Sequence, residues 1–224
     1  MGRCKRITYP GLTYHVINRG NNRQAIFLEE DDYKKYLAIV YRFKRKYGFK
    51  LFAYCFMTNH VHLLIQVGEK GTISRIMQSI TVAHTRHYHY KYRTSGHVWQ
   101  GRFNSPVVSD DEYMLEVMRY IEQNPVRAKM VREIEDYTWS SYRLNIRAEE
   151  SKLIDRRENK AYQTLGETDD DRRRQYVFML REEVKDKALE EIRESSQKGI
   201  YASEKFKSQI DKMIVKKVIR RNTC

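Results

Sequence analysis

The sequence predicts an α+β fold, with an antiparallel sheet that carries helices on one face and a helical appendage at the C-terminus. Two observations lead to this prediction. In the first part of the chain, short apolar runs typical of strands alternate with longer segments whose apolar residues recur every three or four positions, as in helices. After residue 145 the chain is dense in charge and helical in pattern. We therefore assign 1–145 to a first domain and 146–224 to a basic helical extension.

Local signals set the limits of each predicted element. The Pro10-Gly11 turn precedes the first strand, and Gly48 ends the first helix because glycine is favoured just after a helix. Pro125 stops the third helix, since the residue before a proline is biased away from helical backbone. The expected strands are 12–18, 49–56, 60–67 and 106–109, and the expected helices are 31–47, 72–92 and 110–124.

The order of these elements is βαββαβα, which fits a ferredoxin-like (RRM-like) plan with an antiparallel sheet and helices packed against it. The extension is expected to contain two long helices, 168–197 and 203–221. Thr168 and the three aspartates after it are typical of a helix start, and Gly199 is typical of a helix end.

Composition narrows the class of protein. The 224 residues include 43 Lys and Arg against 29 Asp and Glu, a formal net charge of +14, so a polyanion such as DNA, RNA or an anionic membrane surface is the expected partner. No apolar run is long enough to span a membrane, and no apolar segment follows the N-terminus, so we expect neither a membrane span nor a secretory signal. The three cysteines form no CxxC motif, which indicates a reducing, cytoplasmic protein.

The His60-Val61-His62 triplet lies in a predicted strand. Alternate side chains of a strand point to the same face, so the two imidazoles are expected to project together. Two neutral imidazoles at this spacing make half of a divalent metal site. The alternative interpretation is a pair of histidines on a solvated strand face.

Tyr120 and Asn124 are four residues apart near the end of the third predicted helix, so they share a helix face. A tyrosine hydroxyl, with an ordinary pKa of about 10, is a weak nucleophile at neutral pH unless a nearby metal favours its ionised form. Asn124 would then supply an amide oxygen as a third ligand beside the histidines. The alternative is that Tyr120 is one of many core or rim tyrosines.

Two loops have the composition of nucleic-acid contacts. In the first, Arg19 and Arg23 flank Gly20, Asn21 and Asn22, residues suited to a tight turn. The two arginines could grip phosphate or a guanine edge. The alternative is a solvated turn.

The second loop is 97–103, where Trp99, Arg102 and Phe103 suit stacking on unpaired bases. The alternative is that its aromatic residues anchor the loop to the core.

Several ordered blocks together resemble the one-tyrosine HUH transposases, in particular the REP-associated tyrosine transposases and their transposase-like relatives. The resemblance extends from about Tyr9 to Tyr142. Its blocks are Tyr14-His15-Val16, 19–23, 54–64, 99–103, 119–128 and 139–142.

This resemblance implies a ferredoxin-like nuclease domain that cleaves single-stranded DNA beside hairpins and rejoins it through a 5′-phosphotyrosine. It implies His60 and His62 as metal ligands and Tyr120 as the nucleophile. Asn124 matches a polar position that is a metal ligand in related enzymes. The metal is expected to be Mg²⁺ or Mn²⁺.

The predicted DNA contacts are Arg19, Asn21, Arg23, Trp99, Arg102, Phe103 and Arg127. The predicted partner is single-stranded DNA that carries a hairpin from a palindromic repeat. We expect a monomer or homodimer at the nucleoid. Two other classes stay open: a non-catalytic nucleic-acid-binding protein of the same fold, and a metal-dependent hydrolase that uses an activated water.

Overall fold

The computed structural model describes residue 6 and residues 8–109, 112–149 and 151–222, with side chains up to residue 213. The strands of the described residues are β1 (Thr13–Arg19), β2 (Lys50–Met57), β3 (His60–Gln66), β4 (Val107–Val108) and β5 (Ile200–Tyr201). They form a sheet in the order β2-β3-β1-β4-β5. All neighbouring pairs are antiparallel except β4 and β5, which are parallel.

The helices of the described residues are α1 (Glu30–Tyr47), α2 (Ile73–Tyr92), α3 (Glu112–Glu122), α4 (Asn124–Arg127), α5 (Tyr142–Ile146), α6 (Lys160–Gln163), α7 (Asp169–Arg181), α8 (Asp186–Lys198) and α9 (Glu204–Asn222). The strands and helices predicted for the first part of the chain are confirmed to within two residues at each end. Positions 110 and 111, predicted to begin the third helix, lie outside the described residues.

Strand β3 shows how the sheet divides the molecule into two layers. Val61, Leu63 and Ile65 face a core that includes the apolar sides of α1 and α2. The alternate residue Leu64 faces a second core that includes apolar residues of α3, α7 and α8. This two-residue alternation puts His60 and His62 on the α3 side of the sheet.

The α+β fold with a mostly antiparallel sheet is confirmed, but one detail differs from the expectation. Helices cover both faces of the sheet rather than one. Lys50–Met57 is buried on both sides, because its alternate residues supply both cores. A strand with two apolar faces needs a cover on each, and residues after 145 provide part of the second.

The segment after residue 145 contacts the sheet at several points. Strand β5 pairs with β4, and the Asp155 carboxylate accepts a hydrogen bond of 2.7 Å from the Leu51 backbone N–H. The division at residue 145 stays a prediction.

The long helix predicted at 168–197 is wrong, because the structure has two helices separated by residues 182–185. Thr168 caps the first with its side-chain oxygen, as predicted. At the break, the Gln123 side chain donates hydrogen bonds to the carbonyls of Leu180 and Glu182, at 2.9 and 2.8 Å. Val184 between the helices is buried. These contacts come from distant parts of the chain, so the local pattern did not reveal them.

Among the described residues, no helix is long and apolar enough to cross a membrane.

Candidate active site

Three histidines come together on the α3 side of the sheet. His60 and His62 project from β3 to the same side, as predicted, with ring centroids 5.0 Å apart. Strand β1 pairs with β3 so that its His15 lies beside His62, and the His15 Nε2 and His62 Nδ1 atoms are 2.9 Å apart. His15 was not predicted as a site residue. The only signal for it was its presence in the Tyr14-His15-Val16 block.

Burial keeps these imidazoles neutral. It lowers the pKa of His60 to about 4, with a further contribution from the positive charge of Arg19. The pKa of His15 falls to about 3 for the same reason. Burial also holds the pKa of His62 well below its ordinary value, and the neighbouring His15 adds to this effect. Neutral imidazoles are the form that binds divalent metals.

One ring nitrogen of each β3 histidine already has a partner. The His60 Nδ1 atom lies 2.7 Å from the Asn59 Oδ1 atom, and His62 Nδ1 is occupied by His15. Asn59 also donates a hydrogen bond from Nδ2 to the Arg23 carbonyl, at 3.1 Å. Each histidine is therefore left with Nε2 as its ligand atom. Asn59 was not predicted, although it directly precedes the histidine triplet.

Helix α3 brings Tyr120 to the histidines. The Tyr120 ring is edge-on to both neighbours, with its centroid 5.8 Å from His62 and 5.7 Å from His15. Its side chain is 9% exposed, so it lies at the border of the buried region. We call His15, His60, His62 and Tyr120 the histidine cluster. The structure thus brings together the predicted nucleophile and the predicted metal-ligating pair within one chain.

Asn124 and Arg127 lie beside Tyr120. The Asn124 Nδ2 group donates hydrogen bonds to the carbonyls of Tyr120 and Ile121, at 3.0 and 3.3 Å. Of the two polar atoms of the Asn124 side-chain amide, only the nitrogen can donate to a carbonyl. These contacts therefore leave the Oδ1 atom as the potential ligand atom. The Arg127 guanidinium lies 4.3 Å from the centroid of the Tyr120 ring and donates to the Tyr120 carbonyl. Burial lowers the pKa of Arg127, and negative charge on Tyr120 acts in the opposite direction.

The predicted metal ligands have the chemistry of divalent-metal donors. They comprise two neutral imidazoles with Nε2 available and one amide oxygen, from His60, His62 and Asn124. In the described part of the chain, no group of three or more His, Cys, Asp or Glu residues could hold a metal ion. The site therefore has two histidines and needs its remaining ligands from an amide, water or substrate.

The Arg19–Arg23 loop lies next to the histidines. Arg19 pairs with His60 across β1 and β3. Gly20 has a negative φ, so it is not required for a positive φ. It allows the backbone to pass close to the Gln24 carbonyl oxygen, which would lie 2.3 Å from a Cβ atom at this position. Asn22, one of the two asparagines expected to tolerate a positive φ, has a φ of 47°, and Arg23 also has a positive φ. The Asn21 backbone N–H donates to the Val98 carbonyl, which joins this loop to the second one.

The second loop differs from its expected role at Trp99. Trp99 is 9% exposed, and its ring packs near Tyr36 and His84 in the core on the α2 side. Little of the ring is exposed for stacking on bases, which supports the alternative of an anchor. Arg102 is exposed and Phe103 is half-buried. The Arg6 guanidinium covers one side of the Phe103 ring at 3.8 Å from its centroid.

A second buried polar cluster lies on α3, two residues after Tyr120. The Glu122 carboxylate is fully buried. It accepts hydrogen bonds from Ser141 Oγ at 2.5 Å, Asn145 Nδ2 at 2.7 Å and Tyr176 Oη at 3.0 Å. Burial raises the pKa of Glu122 to about 7, and these three hydrogen bonds oppose that rise. We call Glu122, Ser141, Asn145 and Tyr176 the carboxylate cluster. It was not predicted from the sequence.

Comparison with known proteins connects this geometry to a family. The profile of the family described as "Transposase IS200 like" matches residues 8–124, just over half of the chain. A protein of Haemophilus influenzae named as a REP-associated tyrosine transposase is 31% identical over 114 residues. That alignment covers 46% of this chain and 64% of the relative, so it spans just under two thirds of the relative's length.

A solved structure gives a similar result for the fold. The structure of a REP-associated tyrosine transposase bound to a REP hairpin aligns with a TM-score of 0.56 at 20% identity. The alignment covers 68% of this chain and 90% of that one. The matched family region extends from before β1 to the first residue of α4 and includes every member of the histidine cluster. The chain therefore belongs to the IS200-like transposase family.

Proposed function

We propose that this chain is a metal-dependent transposase-type enzyme that cleaves and rejoins single-stranded DNA beside hairpins, with Tyr120 as the nucleophile. The observation that carries this proposal is the position of the Tyr120 ring, 5.8 Å from the ring of His62 in the same chain. A tyrosine at this point lies beside His62, one of the two histidines proposed to hold the metal. A protein that only bound DNA would not need this juxtaposition.

His60, His62 and Asn124 are the residues that would hold Mg²⁺ or Mn²⁺. When bound, such an ion orients the scissile phosphate and offsets its developing negative charge. The hydrogen bond that His60 Nδ1–H donates to the Asn59 Oδ1 atom would help keep the His60 ring in its ligating orientation, as the partners of metal-binding histidines commonly do.

Tyr120 would act on the DNA backbone directly. Its Oη atom attacks the phosphorus, so an Oη–P bond forms while the bond from phosphorus to the 3′ oxygen breaks. The tyrosine proton is lost, and the leaving 3′ oxygen takes up a proton. The product is a 5′-phosphotyrosine and a free 3′-hydroxyl. Attack by that hydroxyl, or by another, reverses the step and rejoins a strand without ATP.

Arg127 would assist this reaction by its charge. Its guanidinium lies over the Tyr120 ring, and its buried Nη1 atom has no hydrogen-bond partner among the described residues. A buried cationic donor without an acceptor is suited to an incoming anion, since a phosphate oxygen would complete its hydrogen bonding. Arg19, exposed beside His60, would contact the same or a neighbouring phosphate.

Single-stranded DNA with a hairpin is the proposed substrate. The net charge of +14 supports binding to a polyanion, but such charge does not distinguish single strands from duplexes. Tyr120 is held on a helix at the edge of a buried cluster, so its target phosphate must be accessible and bendable. Unpaired DNA meets that requirement better than a stiff duplex. The REP hairpin bound to the structurally similar transposase makes a hairpin flank the first substrate to test. Arg23, Arg102 and Phe103 stay proposed DNA contacts.

The decisive experiment is the detection of a covalent protein–DNA adduct. Purified protein is incubated with Mn²⁺ and a single-stranded hairpin that carries an unpaired flank, and products are separated under denaturing conditions. Tyr120→Phe keeps the ring but removes Oη, so we expect adduct formation to fall by roughly 10⁴-fold or more while hairpin binding persists.

Tyr113→Phe, on the same helix, is the matched control and should retain adduct formation. Cleavage without an adduct in the wild type would favour the hydrolase that uses an activated water. Binding without cleavage would favour the non-catalytic DNA-binding protein. Equal cleavage of a fully paired duplex would contradict the single-strand substrate.

A further inference from the structure

His15 is a buried histidine that the proposed chemistry does not yet use. It is 1% exposed and lies beside His62, which is 3% exposed. The His15 Nε2 and His62 Nδ1 atoms are 2.9 Å apart, a distance at which one nitrogen donates a proton and the other accepts it. Because both rings are neutral, each carries a single N–H, and the direction of this hydrogen bond defines the tautomers of the two rings.

The two directions have different consequences for His62. If His62 Nδ1–H donates to His15, then His62 Nε2 has a free lone pair and can bind a metal. If His15 Nε2–H donates to His62, then the His62 proton is on Nε2, and that nitrogen cannot bind a metal. The partner of Nδ1 therefore decides whether His62 is a competent ligand.

His15 is not itself suited to be a third ligand. Its Nε2 atom is already directed at His62, and its Nδ1 atom is buried with no hydrogen-bond partner among the described residues. His15 also lies in no three-residue group of His, Cys, Asp or Glu that could hold a metal, within the part of the chain that the structure covers. Its contacts are with the ligand His62 and, edge-on, with the ring of Tyr120.

We infer that His15 is a positioning residue that accepts a hydrogen bond from Nδ1–H of His62 and so keeps Nε2 of His62 available for a divalent metal. This inference rests on the proposed function for the identity of the ligand, but the tautomer itself is a property of the protein without metal. Arg19 and Arg127 also act on His62 through their positive charge, but an arginine side chain has no hydrogen-bond acceptor. Among these three neighbours, only His15 can accept from His62 Nδ1–H.

Three variants separate positioning from packing. His15→Phe keeps an aromatic ring but removes the acceptor, and His15→Gln restores an oxygen close to the position of Nε2. His84→Phe is the control, because His84 is also 1% exposed and has a pKa lowered to about 4, but it lies in the core near Phe27 and Trp99.

Two measurements are made on each variant. The first is the tautomer of His62, from nitrogen NMR of protein with labelled histidine, without metal and with Mg²⁺. The second is the affinity for Mn²⁺, from electron paramagnetic resonance. We expect Nδ1–H on His62 in the wild type before metal is added. We expect His15→Phe to lose this preference and to weaken Mn²⁺ binding by about 10–100-fold. His15→Gln should recover most of both, and His84→Phe should change neither.

The outcomes distinguish this inference from the proposed function. An Nε2–H tautomer of His62 in the wild type, or the same tautomer and Mn²⁺ affinity in His15→Phe as in the wild type, would overturn the positioning role. If His62 has the Nδ1–H tautomer and loses it in His15→Phe, but no variant binds Mn²⁺, the positioning role is supported and the metal dependence of the proposed function fails.

Discussion

Two buried polar clusters lie within two residues of each other on α3, and they differ in how completely their charged or polar groups are paired. In the carboxylate cluster, both oxygens of Glu122 accept hydrogen bonds, three in total. In the histidine cluster and beside it, His15 Nδ1 and Arg127 Nη1 are buried without partners among the described residues. The Oδ1 atom of Asn145 is the one such exception in the carboxylate cluster.

This difference supports the proposal that the carboxylate cluster is structural and the histidine cluster is the chemical site. A buried carboxylate whose two oxygens both accept hydrogen bonds from surrounding side chains holds those neighbours in place. Here it joins α3 to α5, the preceding Ser141, and α7. Available imidazole nitrogens, with the unpaired Arg127 Nη1 group beside them, would suit the metal ion and phosphate that we propose. The carboxylate cluster thus fixes the helix on which Tyr120 is presented.

The largest expected effect comes from breaking the carboxylate cluster. Glu122→Ala leaves buried donors on Ser141, Asn145 and Tyr176 without an acceptor, so the free energy of unfolding should fall by about 3–5 kcal/mol. Urea unfolding measures this. Glu112→Ala, exposed at the start of the same helix, is the control and should lose less than about 1 kcal/mol. A loss in Glu122→Ala no larger than in this control would contradict the structural role.

Breaking the histidine cluster should have the opposite effect: a large loss of activity and little loss of stability. His60→Ala removes a proposed metal ligand from a half-buried position, so we expect adduct formation to fall by about 10²–10³-fold. The free energy of unfolding should change by less than about 1 kcal/mol. Adduct yield and urea unfolding are measured together, with exposed His97→Ala as the control. Full adduct formation in EDTA would show that the cluster works without metal.

The pH dependence of stability sharpens the comparison. The folded-state pKa of Glu122, about 7, lies above its ordinary value of 4.5. The protonated carboxyl therefore favours folding, and this contribution is fully present below pH 4.5 and is lost as the pH rises through 7.

Glu122→Gln keeps the shape of the side chain and removes the titration. Between pH 4.5 and 8, the wild type should lose up to about 3 kcal/mol of unfolding free energy relative to this variant. The measurement is urea unfolding of both proteins across that range. If the difference in unfolding free energy between the two proteins is the same at every pH, the raised pKa of Glu122 is ruled out. The buried histidines, present in both proteins, cancel in the comparison.

The smallest expected effect concerns Arg127, whose Nη1 atom has no hydrogen-bond partner among the described residues. Arg127→Lys keeps the charge but loses the planar group over Tyr120, so adduct formation should fall by about tenfold with little change in DNA affinity. Rates of adduct formation and hairpin binding are compared with those of Arg132→Lys, which is exposed. An equal decrease in binding and cleavage would mean that Arg127 is a general phosphate contact.

Local periodicity explains what was predictable. The two-residue repeat of a strand puts His60 and His62 on one side, and the four-residue spacing in a helix puts Asn124 one turn after Tyr120. Both statements concern neighbours along the chain, so no tertiary information was required. The limits of the helices in the first part were predictable for the same reason, since residues such as Gly48, which has a φ of 62°, act locally.

Other features depend on residues far apart in sequence. The break between α7 and α8 involves Gln123, and the burial of Trp99 depends on its packing near Tyr36 and His84. The cover on the second face of the sheet comes partly from residues after 145. None of these contacts leaves a repeat in the local sequence.

The sequence by itself determined the class of fold and which side chains of β3 and α3 share a face. Only the tertiary structure decided that β1 lies beside β3 in the register that puts His15 against His62, 47 residues later, and Arg19 opposite His60. It also decided that α3 packs over that side of the sheet and presents Tyr120 to the histidines. Register and packing arise from the fit of two distant surfaces, and a one-residue change in register would turn every side chain of the strand to the other face.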